Sequence, residues 1–489
     1  MVTKQLEPLV HCVSRRASAH PDKPAVVCGE VSISYGQLWL ASRRGSTWLE
    51  RRRVSAGDRV LLTAHATDPW FAAAYLATHL AGAIAVPLDA KAAAGTIASV
   101  VRQTEPALAL AGELLGEFRA AAAGSEDSAM PGGRQPDPDT PADILFTTGS
   151  TGEPKGVLLT QRNIAAAARN MIEFVGNAGT DREVVTVPLS HSFGLGRLRA
   201  NLIAGGTLIL VPGLSFPALV FRALEVHRAT GLACVPAGVA VLLRQGDRLG
   251  DFADQLGYME LGSAPMEAPQ RRELMRLLPH TRICMHYGLT EASRSAFIEF
   301  HAGRQHLDSI GRPAPNVSIR VRDEARNAVP AGTTGHIQVS GDTVMSGYWR
   351  DAERTAAVLG EDGWLDTGDL GHFDGDGYLY LDGRGDDLIN VGGRKVFPAA
   401  VEQAAAQFPA VAESACIALP DPQRILGEVP VLYVVPADSG SVDGAALIRF
   451  LAGRIEAHAV PVAVHLVTEL PKTGSGKLLR SVLRARASG

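Results

Sequence analysis

Asp143-Ile144-Leu145-Phe146-Thr147-Thr148-Gly149-Ser150-Thr151-Gly152-Glu153-Pro154-Lys155-Gly156-Val157-Leu158-Leu159-Thr160 is the most informative stretch of the chain. Its first four residues read as a short apolar strand. Thr147 to Gly156 then places four hydroxyls, three glycines and a lysine within ten residues. Glycines let backbone N–H groups close around an anion, hydroxyls donate further bonds, and the lysine adds positive charge. The stretch therefore predicts a phosphate-binding loop, with a helix starting at about Gln161. It is not a Walker A loop. Counted from Gly149, the second required glycine is Pro154, and Gly156 stands where a serine or threonine is needed. A flexible polar turn is the plain alternative, and the density of donors beside a strand argues against it.

Outward from this loop the chain alternates short apolar runs with helical patterns. Val60 to Leu62 and Gly82 to Leu88 read as strands, with a helix over Ala72 to Leu80 between them. That βαβ rhythm predicts a parallel sheet with helices on its faces. Gly124 to Pro141, rich in Gly, Pro, Ser and Asp, reads as a surface linker. Regular α/β patterning runs from Ile144 to about Val211 and from Leu219 to Met285. Beyond Ser309 it gives way to short alternating segments, 318–322 and 336–339, of an antiparallel sheet or small barrel. The last hundred or so residues predict a small α+β unit. Its helices read as Ala399–Gln407 and Gly444–Ala457, and its strands lie near Ala415–Ala418 and Val429–Val435.

Bulk properties narrow the classes. A chain of 489 residues exceeds one ordinary core and predicts two to four packed units. Apolar residues make up 46% and charged residues 20%, with a net charge of −4, so no general attraction to nucleic acid or acidic membrane follows. Arg51-Arg52-Arg53 reads as a solvated helix end. Five scattered cysteines without a CxxC pair predict buried free thiols in a reducing cytoplasm, not a zinc site or disulfide framework. The first fifteen residues carry Lys4 and Glu7 and lack the apolar core of a signal peptide. Leu202 to Phe221 is uncharged, but its glycines and prolines would break a spanning helix.

Further motifs follow in order: Pro188-Leu189-Ser190-His191-Ser192-Phe193-Gly194, Gly262-Ser263-Ala264-Pro265, His286-Tyr287-Gly288-Leu289-Thr290-Glu291, Trp364 to Gly371, Gly383 to Ile389, and Leu470-Pro471-Lys472-Thr473-Gly474-Ser475-Gly476-Lys477. Together with the loop they resemble the adenylate-forming superfamily: acyl- and aryl-CoA synthetases, peptide-synthetase adenylation domains and beetle luciferases. The resemblance runs from about Tyr35 to Arg480. Departures are small: Thr148 is often serine in the family, and Asn390 often lysine or isoleucine.

The resemblance implies an α/β fold. A large N-terminal domain, residues 1–385, would hold two parallel-type α/β subdomains and a small β-barrel-like one. A small mobile α+β C-terminal domain, residues 386–489, would turn about a hinge near Asp386. It also implies roles. Thr147, Thr148, Gly149, Ser150, Thr151, Gly152 and Lys155 would handle the β- and γ-phosphates of ATP, with Thr151 and Glu291 on Mg²⁺. Gly262, Ser263, Ala264, His286, Tyr287 and Gly288 would border the adenine, and Thr290 the α-phosphate. Asp369 and Arg384 would take the ribose, His191 would border the carboxylate, and Lys477 would be the lysine of adenylation. Carboxylate oxygen suits a hard cation, an aromatic face suits a base, and a carboxylate can accept from both hydroxyls of a diol. Asp374-Gly375-Asp376-Gly377 hints at a calcium loop, but Tyr378 and the missing later glutamate favour a hairpin turn.

The implied reaction is acyl-AMP formation from a carboxylic acid, followed by transfer to the thiol of coenzyme A. Gly392 and Gly393 would line the pantetheine path. A carrier-protein phosphopantetheine could use the same path; a nucleotide-binding protein without catalysis and a luciferase-like oxygenase are the readings from other classes. The implied protein is cytoplasmic, a monomer or homodimer, and takes a small-molecule acid. The segments 191–196, 235–240 and 292–296, dominated by small residues, suggest a roomy apolar acyl pocket. Arg197, Arg199 and Arg294 stand open between pairing with a second carboxylate of the acid and structural ion pairs.

Overall fold

The computed structural model describes residues 7–64, 68–124, 136–147, 154–213, 216–266, 268–392, 394–422, 425–437, 442–472 and 478–487. The chain divides into two compact units, residues 1–319 with 339–365, and residues 320–338 with 366–489.

The first unit is built on two sheets. In the nine-stranded sheet, six neighbouring strands are parallel: Arg282–Tyr287, Tyr258–Leu261, Gly231–Cys234, Arg182–Val185, Thr207–Leu210 and Pro24–Cys28. Antiparallel strands finish both ends, Val31–Ser34 at one and Ala296–Glu299 with Arg312–Pro313 at the other. The central strands are short apolar runs buried along their whole length, as expected of parallel strands covered on both faces. The six-stranded sheet has Leu108–Leu110, Arg59–Ala64, Ile84–Asp89 and Pro141–Thr147 in parallel. Lys155–Thr160 and then Gly347–Tyr348 add antiparallel strands at its other edge.

Helix Ser192–Ala204 lies between these sheets, buried from Phe193 to Leu202. Its arginines show how it is held. Positions 197 and 199 are two residues apart, roughly 200° around a helix, so they face opposite ways. Arg197 meets Glu183 and Glu260 of the nine-stranded sheet. Arg199 meets Asp143 of the six-stranded sheet and Tyr75 of helix Trp70–Leu80. A helix apolar on most faces and bearing two buried cations is stable only because both sheets supply carboxylates.

Strands Val317–Arg322, Gly335–Gly341, Leu365–Phe373 and Leu379–Arg384, most of whose residues belong to the second unit, form one sheet in that order. The Asp374 turn between the last two is a hairpin, its carboxylate accepting from the N–H groups of Asp376 and Tyr378. The three-stranded sheet Val411–Pro420, Glu428–Pro436, Ala463–Leu466 shows the period-two pattern of a strand pair covered on both faces. Cys416, Leu432 and Val434 pack towards Val401, Ala405, Leu447 and Leu451 of helices Pro398–Ala405 and Gly444–Ala452. Ala415, Ile417, Val431 and Tyr433 pack towards Leu483 of helix Arg480–Ala487. The second of those helices is shorter than the expected 444–457: it stops at Ala452, with Gly453, a poor helix former, as the next residue. Arg480 clamps the C-terminal helix to Glu402 with two bonds of 2.7 Å, and Arg484 reaches Asp387 at 2.8 Å. Among the described residues no helix is long and apolar enough to cross a membrane.

Candidate active site

The expected phosphate loop joins two paired strands. Pro141–Thr147 runs antiparallel to Lys155–Thr160, and Thr147 pairs with Lys155 at its mouth. A helix does not follow the loop directly, as it would in a Walker A site; a strand returns first. Thr160 then caps helix Gln161–Met171 through a reciprocal bond with Asn163. Gly156 is required by close packing, since a Cβ there would meet Ile144 at 2.9 Å and Phe146 at 3.1 Å. Thr148, Gly149, Ser150, Thr151 and Gly152 lie outside the described residues.

Tyr287, Thr290 and Glu291 sit on a tight turn. Strand Arg282–Tyr287 ends at the buried Tyr287, which pairs with Ala296 of the next, antiparallel strand. The turn is closed by bonds from the Leu289 N–H to the Ala292 carbonyl (3.0 Å) and from the Ser295 N–H to the Tyr287 carbonyl (2.9 Å). Only glycine fits at 288, because a Cβ would lie 2.6 Å from the Arg294 nitrogen and 3.0 Å from the Ala292 oxygen, both backbone atoms. Gly288→Ala must therefore displace the turn that carries Thr290 and Glu291. We expect KM for ATP to rise about tenfold, equivalent to roughly 1.4 kcal/mol; an unchanged KM would show that the turn does not touch the nucleotide. Glu291 is half-buried and accepts a hydrogen bond on Oε1 from the Tyr348 hydroxyl at 2.9 Å. The Lys155 ammonium lies 5.6 Å from the centroid of the same tyrosine ring. Sequence reasoning missed Tyr348; nothing local in Ser346-Gly347-Tyr348-Trp349 marks it.

Behind this turn is a buried ionic network. Arg197 donates to Glu183 at 2.7 and 2.6 Å and to Glu260 at 2.6 Å. Glu260 also faces His286 Nδ1 at 2.9 Å and Arg294 Nε at 3.5 Å. Burial raises the Glu260 pKa, but the Arg197 and Arg294 guanidiniums outweigh it and hold the carboxyl well below its usual range. Burial and the nearby Arg294 charge lower the His286 pKa, so its ring is neutral at pH 7. His286 packs on Gly262 so closely that a Cβ there would overlap the ring, and it stands edge-on to Phe193 at 4.8 Å. Ser263, next in the turn, adopts a left-handed φ of 74° and is exposed, while Ala264 is half-buried. His286 thus supports the Gly262–Ala264 turn from within.

The three arginines left open by the sequence can now be placed. Arg197 and Arg199 are spent on buried carboxylates. Arg294 is only 2% exposed; it donates to the carbonyls of Ser192 and Phe193 at 3.1 Å each and lies on Gly196. It stitches segment 292–296 to segment 191–196, bringing two of the expected acyl-pocket segments together. Burial lowers its pKa to about 10, which leaves it cationic at neutral pH. His191, the residue before helix Ser192–Ala204, keeps access to solvent although protein atoms crowd its imidazole; that crowding lowers its pKa, partly opposed by Asp89.

In the second unit Asp369 and Arg384 are cross-strand partners, 3.0 Å apart, with the carboxylate buried and the guanidinium partly exposed. Gly392 turns the hairpin Ile389–Val391/Arg394–Val396 with φ 58° and donates its N–H to the Leu426 carbonyl at 2.8 Å. Gly393, Lys477 and the Asp386 side chain lie outside the described residues.

The chain is similar to known proteins over most of its length. Residues 13–349 match the family profile "AMP-binding enzyme", and residues 400–477 match "AMP-binding enzyme C-terminal domain". The chain is 34% identical to a feruloyl-CoA synthase of Amycolatopsis sp, over 96% of this chain and 97% of that one. It is 31% identical to an indoleacetate–CoA ligase of Aromatoleum aromaticum, over 96% of each. Among solved structures it resembles ATP-bound MatB of Rhodopseudomonas palustris, with a TM-score of 0.88 and 28% identity over 98% of both chains.

Proposed function

We propose a specific activity for this chain, which belongs to the AMP-binding enzyme family: it activates a bulky apolar monocarboxylic acid, such as an arylpropenoic or arylacetic acid, with ATP and Mg²⁺ and passes the acyl group to coenzyme A. The chain is an AMP-forming acid–thiol ligase, and it binds ATP. In the first step a carboxylate oxygen attacks the α-phosphorus, the bond to the β-bridging oxygen breaks, and pyrophosphate leaves with the electron pair. In the second the thiol sulfur attacks the acyl carbon, AMP leaves, and the thiol proton passes to solvent.

The observation that carries this reading is the proximity, within one unit, of the phosphate hairpin and the Glu291 turn, with Tyr348 touching Glu291 and facing Lys155. Glu291 offers a half-buried carboxylate and its sequence neighbour Thr290 a hydroxyl, the kind of hard oxygen donor that Mg²⁺ prefers. We assign Glu291 and Thr151 to the cation, which when bound offsets charge on the phosphate oxygens. Thr290 takes the α-phosphate, and Thr147, Lys155 and the loop between them take the outer phosphates. Tyr287 and the Gly262–Ala264 turn border the adenine, and Asp369 with Arg384 takes the ribose. Lys477 offsets the repulsion between carboxylate and phosphate. Gly392 and Gly393 leave room for the pantetheine arm. Free thiols at Cys12, Cys28, Cys234, Cys284 and Cys416 support a reducing, cytoplasmic setting.

The acid class follows from the arginines. With Arg197, Arg199 and Arg294 committed to protein groups, none of the three remains to pair with a second carboxylate. The names of the feruloyl and indoleacetate relatives agree with an aromatic acid. ATP–pyrophosphate exchange over a panel of acids tests this. We expect arylpropenoic and arylacetic acids to exceed matched dicarboxylates by about 10²–10³-fold in kcat/KM, the effect of burying an unpaired charge. A dicarboxylate preferred over its monoacid would refute the assignment. Mass spectrometry of the thioester formed with coenzyme A or with a holo carrier protein decides the acceptor.

A further inference from the structure

We propose that Tyr348 is a positioning residue of the adenylation site: its hydroxyl sets the Glu291 carboxylate for the divalent cation, while its ring seats Lys155 and keeps that ammonium off the carboxylate. This rests on Glu291 being a cation ligand.

The tyrosine is fixed more firmly than packing alone requires. It is 9% exposed and pairs with Val157 on the strand that begins at Lys155. Its neighbour Trp349 donates its backbone N–H to the Gly156 carbonyl at 2.7 Å. Its own N–H goes to Thr355 Oγ1 at 2.9 Å, and Thr355 Oγ1 donates in turn to the Asp351 carbonyl at 2.7 Å. Gly347 before it has φ 150°, and a Cβ there would meet Thr355 at 2.9 Å. Three residues earlier, the Met345 N–H donates to the backbone carbonyl of Glu291 itself at 2.8 Å, and Val344 bridges Ala292. One short segment, 344–349, is therefore hydrogen-bonded both to the strand that leaves the phosphate loop and to the backbone of Glu291, the residue whose carboxylate is positioned.

The chemistry explains why a tyrosine stands there. A carboxylate offers about four lone-pair sites. The phenol fills one on Oε1, which fixes the rotamer and leaves the group able to bind a metal through its remaining sites, as hydrogen-bonded metal carboxylates commonly do. A cation over the ring face is attracted by its quadrupole and makes the hydroxyl a stronger donor. Among the described residues Lys155 makes no ion pair. If it closed directly on Glu291, one salt bridge would consume both the phosphate-loop cation and the metal ligand. A phenylalanine would fill the same space but could not hold the carboxylate.

The test is calorimetric and uses the full chain without acid substrate, so that no turnover is read. ATP binding is titrated in EDTA, and Mg²⁺ is then titrated into the ATP-loaded protein, for wild type, Tyr348→Phe, Glu291→Gln and the double variant. We expect Tyr348→Phe to raise the half-saturating Mg²⁺ concentration about tenfold, the effect of losing a hydrogen bond to a charged group. ATP binding in EDTA and the melting temperature should stay close to wild type. The double variant should be no worse than Glu291→Gln alone, because the two residues act as one unit. A Mg²⁺ dependence unchanged in Tyr348→Phe but shifted in Glu291→Gln overturns the role of the tyrosine and leaves Glu291 as a ligand. Equal weakening with and without Mg²⁺, or additive effects in the double variant, reduces Tyr348 to a structural residue. No shift in Glu291→Gln refutes the ligand assignment and this proposal with it.

Discussion

Replacing Lys477 by alanine is expected to lower the rate of acyl-adenylate formation by about 10²–10³, the usual effect of removing one charge stabiliser from a reacting centre. The physical case is simple. A carboxylate must approach a triphosphate, and negative charge accumulates as they meet. A cation at that point lowers the barrier more than it aids binding of either reactant, so kcat should fall further than KM rises. Thioester formation has a different charge history. A neutral or anionic sulfur attacks a carbonyl already carrying a good leaving group, and no triphosphate is present. We therefore expect Lys477→Ala to spare the conversion of supplied acyl-adenylate and coenzyme A to thioester and AMP. Rapid-quench measurement of both half-reactions provides the comparison. Equal loss in both would show that Lys477 serves binding or folding in general.

Replacing Arg197 by alanine should be the most destabilising single change in the buried network. Arg197 is fully buried and forms three short bonds to Glu183 and Glu260. Its loss leaves Glu183 without its guanidinium and Glu260 with only Arg294 at 3.5 Å and a neutral histidine. Breaking a buried pair in this way costs about 3–5 kcal/mol, mostly the cost of an unpaired buried charge. The denaturant midpoint of the first unit should fall accordingly. Arg276→Ala, which breaks exposed pairs to Asp247 and Glu273, should barely move it. The same network gives a direction with pH. Burial raises the pKa of Glu260 and Asp143, but neighbouring arginines outweigh it, so both stay below the ordinary carboxylate range. A group with a depressed folded pKa stabilises fully above its unfolded value, about pH 4, and loses that contribution as pH falls through the folded one. Acid unfolding should therefore begin near pH 4, and Glu260→Gln should flatten its slope. A melting profile whose acid limb is the same in that variant would exclude Glu260 as a source.

Much of this was legible before any coordinates. Glycine-rich and hydroxyl-rich loops act through backbone groups and short side chains adjacent in sequence, so the expectation for Thr147–Gly156 could be formed locally. The same holds for the Tyr287–Glu291 turn, and Gly288 is explained by backbone atoms four and six positions on. The strand near Ala415–Ala418 and the mostly apolar helix read over Ala72 to Leu80 were equally readable. Helix length was less so: the Gly444 helix ends five residues before its apolar pattern suggested, at Gly453.

The loop Thr147–Gly156, with the later motifs in order, determined by sequence alone that the chain handles phosphate and activates an acid. Tertiary structure alone decided what Arg197, Arg199 and Arg294 do. Each is a cation whose partners lie on other strands or segments: Glu260 is 63 residues from Arg197, Asp143 is 56 from Arg199, and Phe193 is 101 from Arg294. It likewise revealed Tyr348, which meets Glu291 across 57 residues of chain. A charge or hydroxyl carries no local signal of what it will be folded against. Burial then makes that partner obligatory, since an unpaired charge in a packed interior costs more than a domain can spare.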